Sequence, residues 1–316
     1  MVDVFVSGLM FYDLVFTGLE HGPVPGTEMW AKGSGTGPGG IANFAVTLAR
    51  LKLSTSLSAV FGDDPFGRLC WDILERDEGI DLSRSRRLAD WPTPVTVSLA
   101  YDGDRALVTH GEPVPLSADE LIGSPPVSRA AVVHLEPEPA NWVPLAHAGG
   151  TLVFADVGWD PAQQWSRTML DQLTHCHAFL PNAEEAMAYT RTSTPHAAVA
   201  KLADLVPLAV VTCGGDGAIA IDGSTGEHAW APALAVDALD TTGAGDIFGA
   251  SLVAGTLAGW PLVDRLRFAN LCAALSVRQV GGAPAAPGWP GIARWWHATD
   301  DPQLRKDYGF LDQVMD

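Results

Sequence analysis

Residues 240–251 read DTTGAGDIFGAS. Gly243, Ala244 and Gly245 carry almost no side chain, and from Asp246 onward DIFGASLVAGTLAG continues as a helix with Ile, Leu and Val for packing. The first turn of a helix presents unpaired N–H groups and the positive end of the dipole. Amides at 243–245 could therefore close around a phosphate, with Asp246 beside it. A carboxylate there has two readings: a helix acid that favours the dipole, or an acid that faces an attacking hydroxyl. Phosphoryl transfer suits the second, because orienting the nucleophile and neutralising charge matter more than basicity.

Upstream, VDVFVSG (2–8) is β-branched and aromatic and breaks at Gly8, as a buried first strand does. From IANFAVTLARL (41–51) helices and strands alternate: STSLSAVFG, RLCWDILERDEG, AAVVHLE, TLVFADVG, HAFLPN and AVVTCGG. That alternation predicts an α/β fold, a mostly parallel central sheet flanked by helices in three layers. The segments at about 14–36 and 92–111 break the pattern. The first is polar and glycine-rich, and TPVTVSLAYDGDRALVTH alternates around an Asp102-Gly103 turn, as a hairpin does. They are expected to form a small β lid on a single domain spanning 1–316. The tail after 287 has no strand signal.

The chain has 316 residues, 47% apolar and 18% charged, with a formal net charge of −18. Such a charge repels phosphate backbones and anionic lipids, and no basic patch offsets it, so neither a nucleic acid nor a membrane is expected as partner. Cys70, Cys176, Cys213 and Cys272 lack metal-ligand spacing and read as buried thiols. The N-terminus MVDVFVSGLM has no basic leader, and no apolar run is long enough to span a bilayer, so a cytoplasmic protein is expected.

Other stretches carry chemistry. GPGGIANFA (37–45) puts Gly39 and Gly40 at a helix start with Asn43 one turn in, where a polar ligand could meet the amide; a local hydrogen bond is the alternative. Asp13 follows the first strand, and Glu136 ends another, either as ligand contact or as solvated charge. In PNAEEA, Asn182 and Glu185 lie three apart on one helical face and could reach one hydrated cation; a helix cap is the alternative. VVTCGGDG ends a strand in the small residues Thr212, Gly214 and Gly217.

DTTGAGDIF and PGGIANFAVTLARL resemble the two motifs of the ribokinase-like carbohydrate kinases, also called the phosphofructokinase B family. GDDPFG, PNAEEA and VVTCGGDGAIA agree in order and kind. The resemblance implies a ribokinase-like fold and phosphoryl transfer from ATP to a hydroxymethyl of a ribose- or fructose-like acceptor. It implies Asp246 as catalytic base, Gly243–Gly245 as anion hole, and Asp13, Gly39, Gly40, Asn43 and Glu136 as acceptor contacts. It further implies a nucleotide close to the backbone at Thr212, Gly214 and Gly217, Mg2+ near Asn182 and Glu185, adenine near Asn270, and a monovalent cation (K+) at Asp240 and Thr242. Pro38 stands where the family usually has a glycine.

Rival readings are a nucleoside kinase of the same fold, with Phe11, Tyr12 and Trp30 as a shelf for the base, a dinucleotide oxidoreductase and a silent sugar sensor. GTGPGG (35–40) matches GxGxxG but lies about thirty residues past the first strand, and no GxxxxGK[ST] occurs. A silent sensor would typically lack the terminal carboxylate, which Asp246 supplies. Lys32 and Arg105 are the lid cations that a sugar acid would need. An exposed lid edge could pair two chains into a homodimer.

Overall fold

The computed structural model describes residues 2–101, 104–160 and 162–315; the expected Asp102-Gly103 turn lies outside them. The strands in chain order are β1 (Val2–Ser7), β2 (Met10–Thr17), β3 (Gly33–Gly40), β4 (Thr55–Ser58), β5 (Val60–Gly62), β6 (Arg86–Leu88) and β7 (Val95–Tyr101). They continue with β8 (Asp104–His110), β9 (Ser128–His134), β10 (Leu152–Asp156), β11 (Ala178–Phe179), β12 (Leu208–Thr212), β13 (Ala218–Asp222) and β14 (Glu227–Ala231). Eight form one sheet in the order β14-β13-β12-β11-β10-β9-β1-β4. Pairing is parallel from β4 to β12 and antiparallel from β12 to β14. The expected α/β architecture with a mostly parallel sheet is present.

The two-residue period of the strands divides their side chains between two helical layers. Val4, Val6, Ala130, Val132 and Phe154 pack with the helices Ile41–Arg50, Ala244–Leu257 and Leu262–Ser276. Phe5, Ala131, Val133, Val153 and Ala155 pack on the other face with Trp142–Ala148, Ala183–Thr190 and Pro195–Leu202. The tail beyond 287 is helical, and its Ile292, Trp296, Tyr308 and Leu311 join the first of these cores. No helix among the described residues is long and apolar enough to cross a membrane.

A four-stranded sheet, β3-β2-β7-β8, stands apart. It begins at Met10 and ends its second strand at Gly40, so it is wider than the 14–36 expected, and Asp13 lies within β2 rather than in a loop after β1. The GTGPGG stretch is β3 itself, antiparallel to β2, which is incompatible with a dinucleotide turn.

Two helices carry the motifs and cross closely. A Cβ at Gly249 would lie 2.6 Å from Cε1 of Phe44, a fully buried ring. Gly→Ala within a helix gains about 1 kcal/mol of propensity, while overpacking a core costs about 1–3 kcal/mol. Overpacking should win at this site. Gly249→Ala is therefore expected to lower the urea midpoint at unchanged m-value; a midpoint at or above that of the parent would contradict this packing.

Candidate active site

The parallel strands end along one edge of the main sheet, and β3 delivers Gly40 to the same place. The helix Ile41–Arg50 starts there on Gly40, and the helix Ala244–Leu257 starts on Gly243 with φ 72° and no side-chain cap. A side chain at 243 would meet Asn43 Nδ2 and Gly282 Cα at 2.9 Å, so glycine serves both the left-handed backbone and the close approach. A Cβ at Gly245 would meet nothing within 4 Å. The helix tip thus keeps its first N–H groups without a capping side chain and has open ground before it, which suits an anion.

Asp246 sits in the first turn of that helix. Its Oδ2 accepts a 2.7 Å hydrogen bond from Asn43 Nδ2, while its Oδ1 faces His134 Nε2 at 3.7 Å. His134 Nε2 is also 4.0 Å from Asp156 Oδ2. One donor atom from each of His134, Asp156 and Asp246 lies within 4.8 Å of the others. Asp13 is buried in β2, and a Cβ on Gly39 would fall 1.9 Å from its Oδ2, so Asp13 lies across a strand that must be bare there.

Acids converge here. Burial, then the charges of Asp246 and Asp240, push Asp13 up to about 7, with Arg105 opposing. Burial raises Asp156 to about 8 against the pull of His134. Burial likewise raises Glu185 to about 7, with the Asp246 charge adding to it and the Asn182 hydrogen bonds opposing. The loop before the helix is tied down. Asp240 Oδ1 accepts from Thr242 N and Oγ1 at 2.9 and 2.7 Å, and its Oδ2 accepts from Gly281 N at 2.7 Å. The small sheet reaches this loop as well: Ser98 Oγ and Thr242 Oγ1 are 3.2 Å apart, and Arg105 donates to Thr241 Oγ1.

Asp13, Gly39, Gly40, Asn43, Asp240, Thr242 and 243–246 are therefore gathered. Asn43 and several of the other expected residues are engaged differently or stand elsewhere. Asn43 gives its amide to Asp246 instead of leaving it for a ligand, and its buried Oδ1 has no hydrogen-bond partner among the described residues. Asn182 and Glu185 form a reciprocal capping box at 3.0 Å each way, so the Asn182 oxygen is engaged by the Glu185 N–H instead of facing a shared cation. Asn270 donates to the carbonyls of Ala231 and Pro232 at 2.9 and 3.0 Å, tying β14 to its helix. Thr212 ends β12, Gly214 begins the turn that follows with open space at its Cα, and Gly217 is packed against β14. Glu136 is exposed two residues past β9. It lines a cleft of about 990 Å³ with Ser7, Gly8, Phe11, Thr109 and Glu112. Of the proposed aromatic shelf, Tyr12 is buried and stacked on Phe66, and Trp30 is 86% exposed.

His134 and Asp156 escaped the sequence reading. Each is the last residue of a parallel strand, a polar end to an apolar run, which is the signal that could have found them.

Residues 1–288 match the pfkB family carbohydrate kinase profile. The chain belongs to the pfkB family of carbohydrate kinases. It is similar to a fructokinase of Klebsiella pneumoniae, 32% identical over 280 residues that cover 79% of this chain and 89% of the relative. A ribokinase of Schizosaccharomyces pombe is 28% identical over 311 residues, covering 91% and 95%. The structure of Arabidopsis thaliana ribokinase complexed with ribose and ATP superposes with a TM-score of 0.75 at 25% identity, covering 93% of this chain and 98% of that one. The pfkB assignment accounts for two motif helices meeting at one sheet edge.

The raised carboxyls make stability fall with pH. Folded Asp13, Asp156 and Glu185 hold protons that the unfolded chain releases near 4, so the folded state binds more protons between about pH 4 and 8. The ligand-free protein is expected to lose thermal midpoint steadily from pH 5 to pH 8, and Asp156→Asn to flatten that decline. A flat wild-type profile would contradict the burial of these groups.

Proposed function

We propose that the chain is an ATP-dependent sugar kinase that moves the γ-phosphoryl group to a hydroxymethyl of a ribose- or fructose-like acceptor. The observation that carries this reading is the Asn43–Asp246 hydrogen bond, which sets a carboxylate beside an uncapped helix tip with open space at Gly245. On this reading Asp246 orients the acceptor hydroxyl and takes its proton, and the amides of 243–245 receive the migrating phosphoryl group. Asp13, with Gly39 and Gly40 clearing room, holds acceptor hydroxyls, and Glu136 borders the same side. The nucleotide lies along Thr212, Gly214 and Gly217, with Asn182 and Asn270 supporting the neighbouring backbone.

Glu185 fits Mg2+. One of its oxygens serves the capping box, and the other leaves a largely buried carboxylate available to a hydrated ion. When bound, magnesium would neutralise charge on the phosphates. Asp240 and Thr242 are the proposed surroundings of a monovalent cation. The sheet β3-β2-β7-β8 acts as a lid that excludes water, supported by the reach of Ser98 and Arg105 to the 241–242 loop.

The decisive test is ADP release across ribose, fructose and nucleosides beside Asp246→Asn. Loss of a general base costs about 10²–10⁴ in rate, so the variant should lose at least a hundredfold in kcat with KM little changed. Retention of most turnover would overturn the role of Asp246, and binding without turnover by the wild type would favour a silent sensor.

Pairing of two lids into a homodimer belongs to the same reading. Edge strand β8 exposes Leu107 and Val108, apolar side chains that a partner strand would cover. Val108→Asp should shift the chain from dimer to monomer in light scattering; a wild-type monomer would remove the dimer from the proposal.

A further inference from the structure

His134 lies at the site without belonging to either motif. It ends β9, with its ring edge-on to Phe44 at 5.8 Å between centroids. Asp246 is consequently faced on both oxygens, by the Asn43 amide at 2.7 Å on Oδ2 and by the imidazole at 3.7 Å on Oδ1. The longer distance is an ion-pair separation rather than a hydrogen bond, and a small turn of either group would close it. Asp246 shares the site with Asp13, Asp156 and Glu185, and a phosphate-bearing substrate must still be brought to it.

We propose that His134, in its charged form, is a positioning residue for Asp246. It and Asn43 hold the two carboxylate oxygens in one orientation toward the acceptor, and its charge offsets the surrounding acids. This rests on the reading of Asp246 as the group that meets the acceptor hydroxyl. In the transfer, the electron pair of the acceptor O–H forms the new O–P bond and the proton goes to Asp246. The P–O bond to ADP breaks with its pair leaving on ADP, and His134 keeps its proton throughout.

Burial alone would lower the titration of His134. Against it Asp246 from the motif helix, Asp156 from β10 and Glu136 two residues past its own strand raise it above the usual imidazole value, and Glu185 from Ala183–Thr190 also interacts with the ring. Turnover that needs the charged ring is present below that raised value and lost as pH climbs through it.

The test compares wild type, His134→Gln, His134→Asn and Asp246→Asn across pH, using MgATP and the acceptor from the ribose, fructose and nucleoside panel with the highest turnover. His134→Gln should lower kcat by about tenfold to a hundredfold, the scale of a misaligned catalytic group. KM for both substrates should stay within about twofold, and the alkaline fall in kcat should disappear; His134→Asn should follow if the Gln variant folds poorly. An unchanged kcat and pH profile, or a change confined to KM, overturns the proposal. The imidazole titration of His134 is followed by NMR without any substrate. Asp246→Asn should move it downward, and an unmoved titration overturns the coupling whether or not the kinase reading holds. If Asp246→Asn keeps full turnover while the titration moves, the function assigned to Asp246 has failed and the positioning role fails with it, although the contact stands.

Discussion

The hydrogen bond from Asn43 to Asp246 spans 203 residues of sequence and joins the first turns of two helices. A bond to a charged acceptor is worth about 1.5–3 kcal/mol, enough to fix one side-chain orientation and little more. Its value lies in what it requires. Both helices must begin within a side chain's length of each other, so Gly243 must be bare against Asn43 and Gly249 must be bare against Phe44. The first condition brings the tips together and the second holds the shafts in contact.

Charge is the other constraint on this edge. The chain carries −18 overall, and four acidic side chains surround the proposed transfer point, so long-range steering works against a nucleotide polyanion. Attraction has to be local. It is available from helix amides at 243–245, from His134 against Asp246 and Asp156, and from Arg105 at the mouth of the 241–242 loop. A metal-complexed nucleotide, with much of its charge already neutralised, matches such a surface better than a free one.

The strand and helix alternation was legible because each buried strand writes an apolar run and each helix an apolar stripe, and these survive without knowledge of tertiary contacts. The glycine turn before Asp246 was legible for a similar reason: local backbone demands leave local residues. What could not be read was partnership. Asn43 looked like a ligand contact because nothing in its neighbourhood names Asp246. Asn182 and Asn270 are ordinary asparagines whose amides or oxygens went to backbone groups, one three residues away and the other 39. His134 and Asp156 are adjacent only because β9 and β10 run parallel in register, with Asp156 opposite His134. Tyr12 was placed on a shelf because strand polarity in the small sheet was unknown; alternation turns its ring inward onto Phe66 and leaves Asp13 facing Gly39.

Three helix tips at this edge share one construction. The helices beginning at Ile41, Ala244 and Gly282 all start after a glycine of positive φ, at Gly40, Gly243 and Gly281, and none has a side-chain cap. Elsewhere Asp64, Ser117, Ser166, Asn182, Thr194 and Asp301 cap their helices with their own side chains, while the helices beginning at Trp142, Leu262 and Trp289 lack a side-chain cap but do not start after a glycine of positive φ. A capping side chain at 243 would occupy the space that Asn43 and Gly282 already fill, and one at 40 would strike Leu9 O and the Phe11 ring. Crowding by neighbouring backbone and side chains thus excludes the ordinary cap at Gly40 and Gly243, whereas at Gly281 the left-handed backbone alone favours glycine. At the tip beside Asp246 the Ala244 N–H donates to Thr241 O at 3.3 Å, while a Cβ at Gly245 would meet nothing within 4 Å, so close packing on one side of the tip goes with open space on the other, an arrangement that suits an anion.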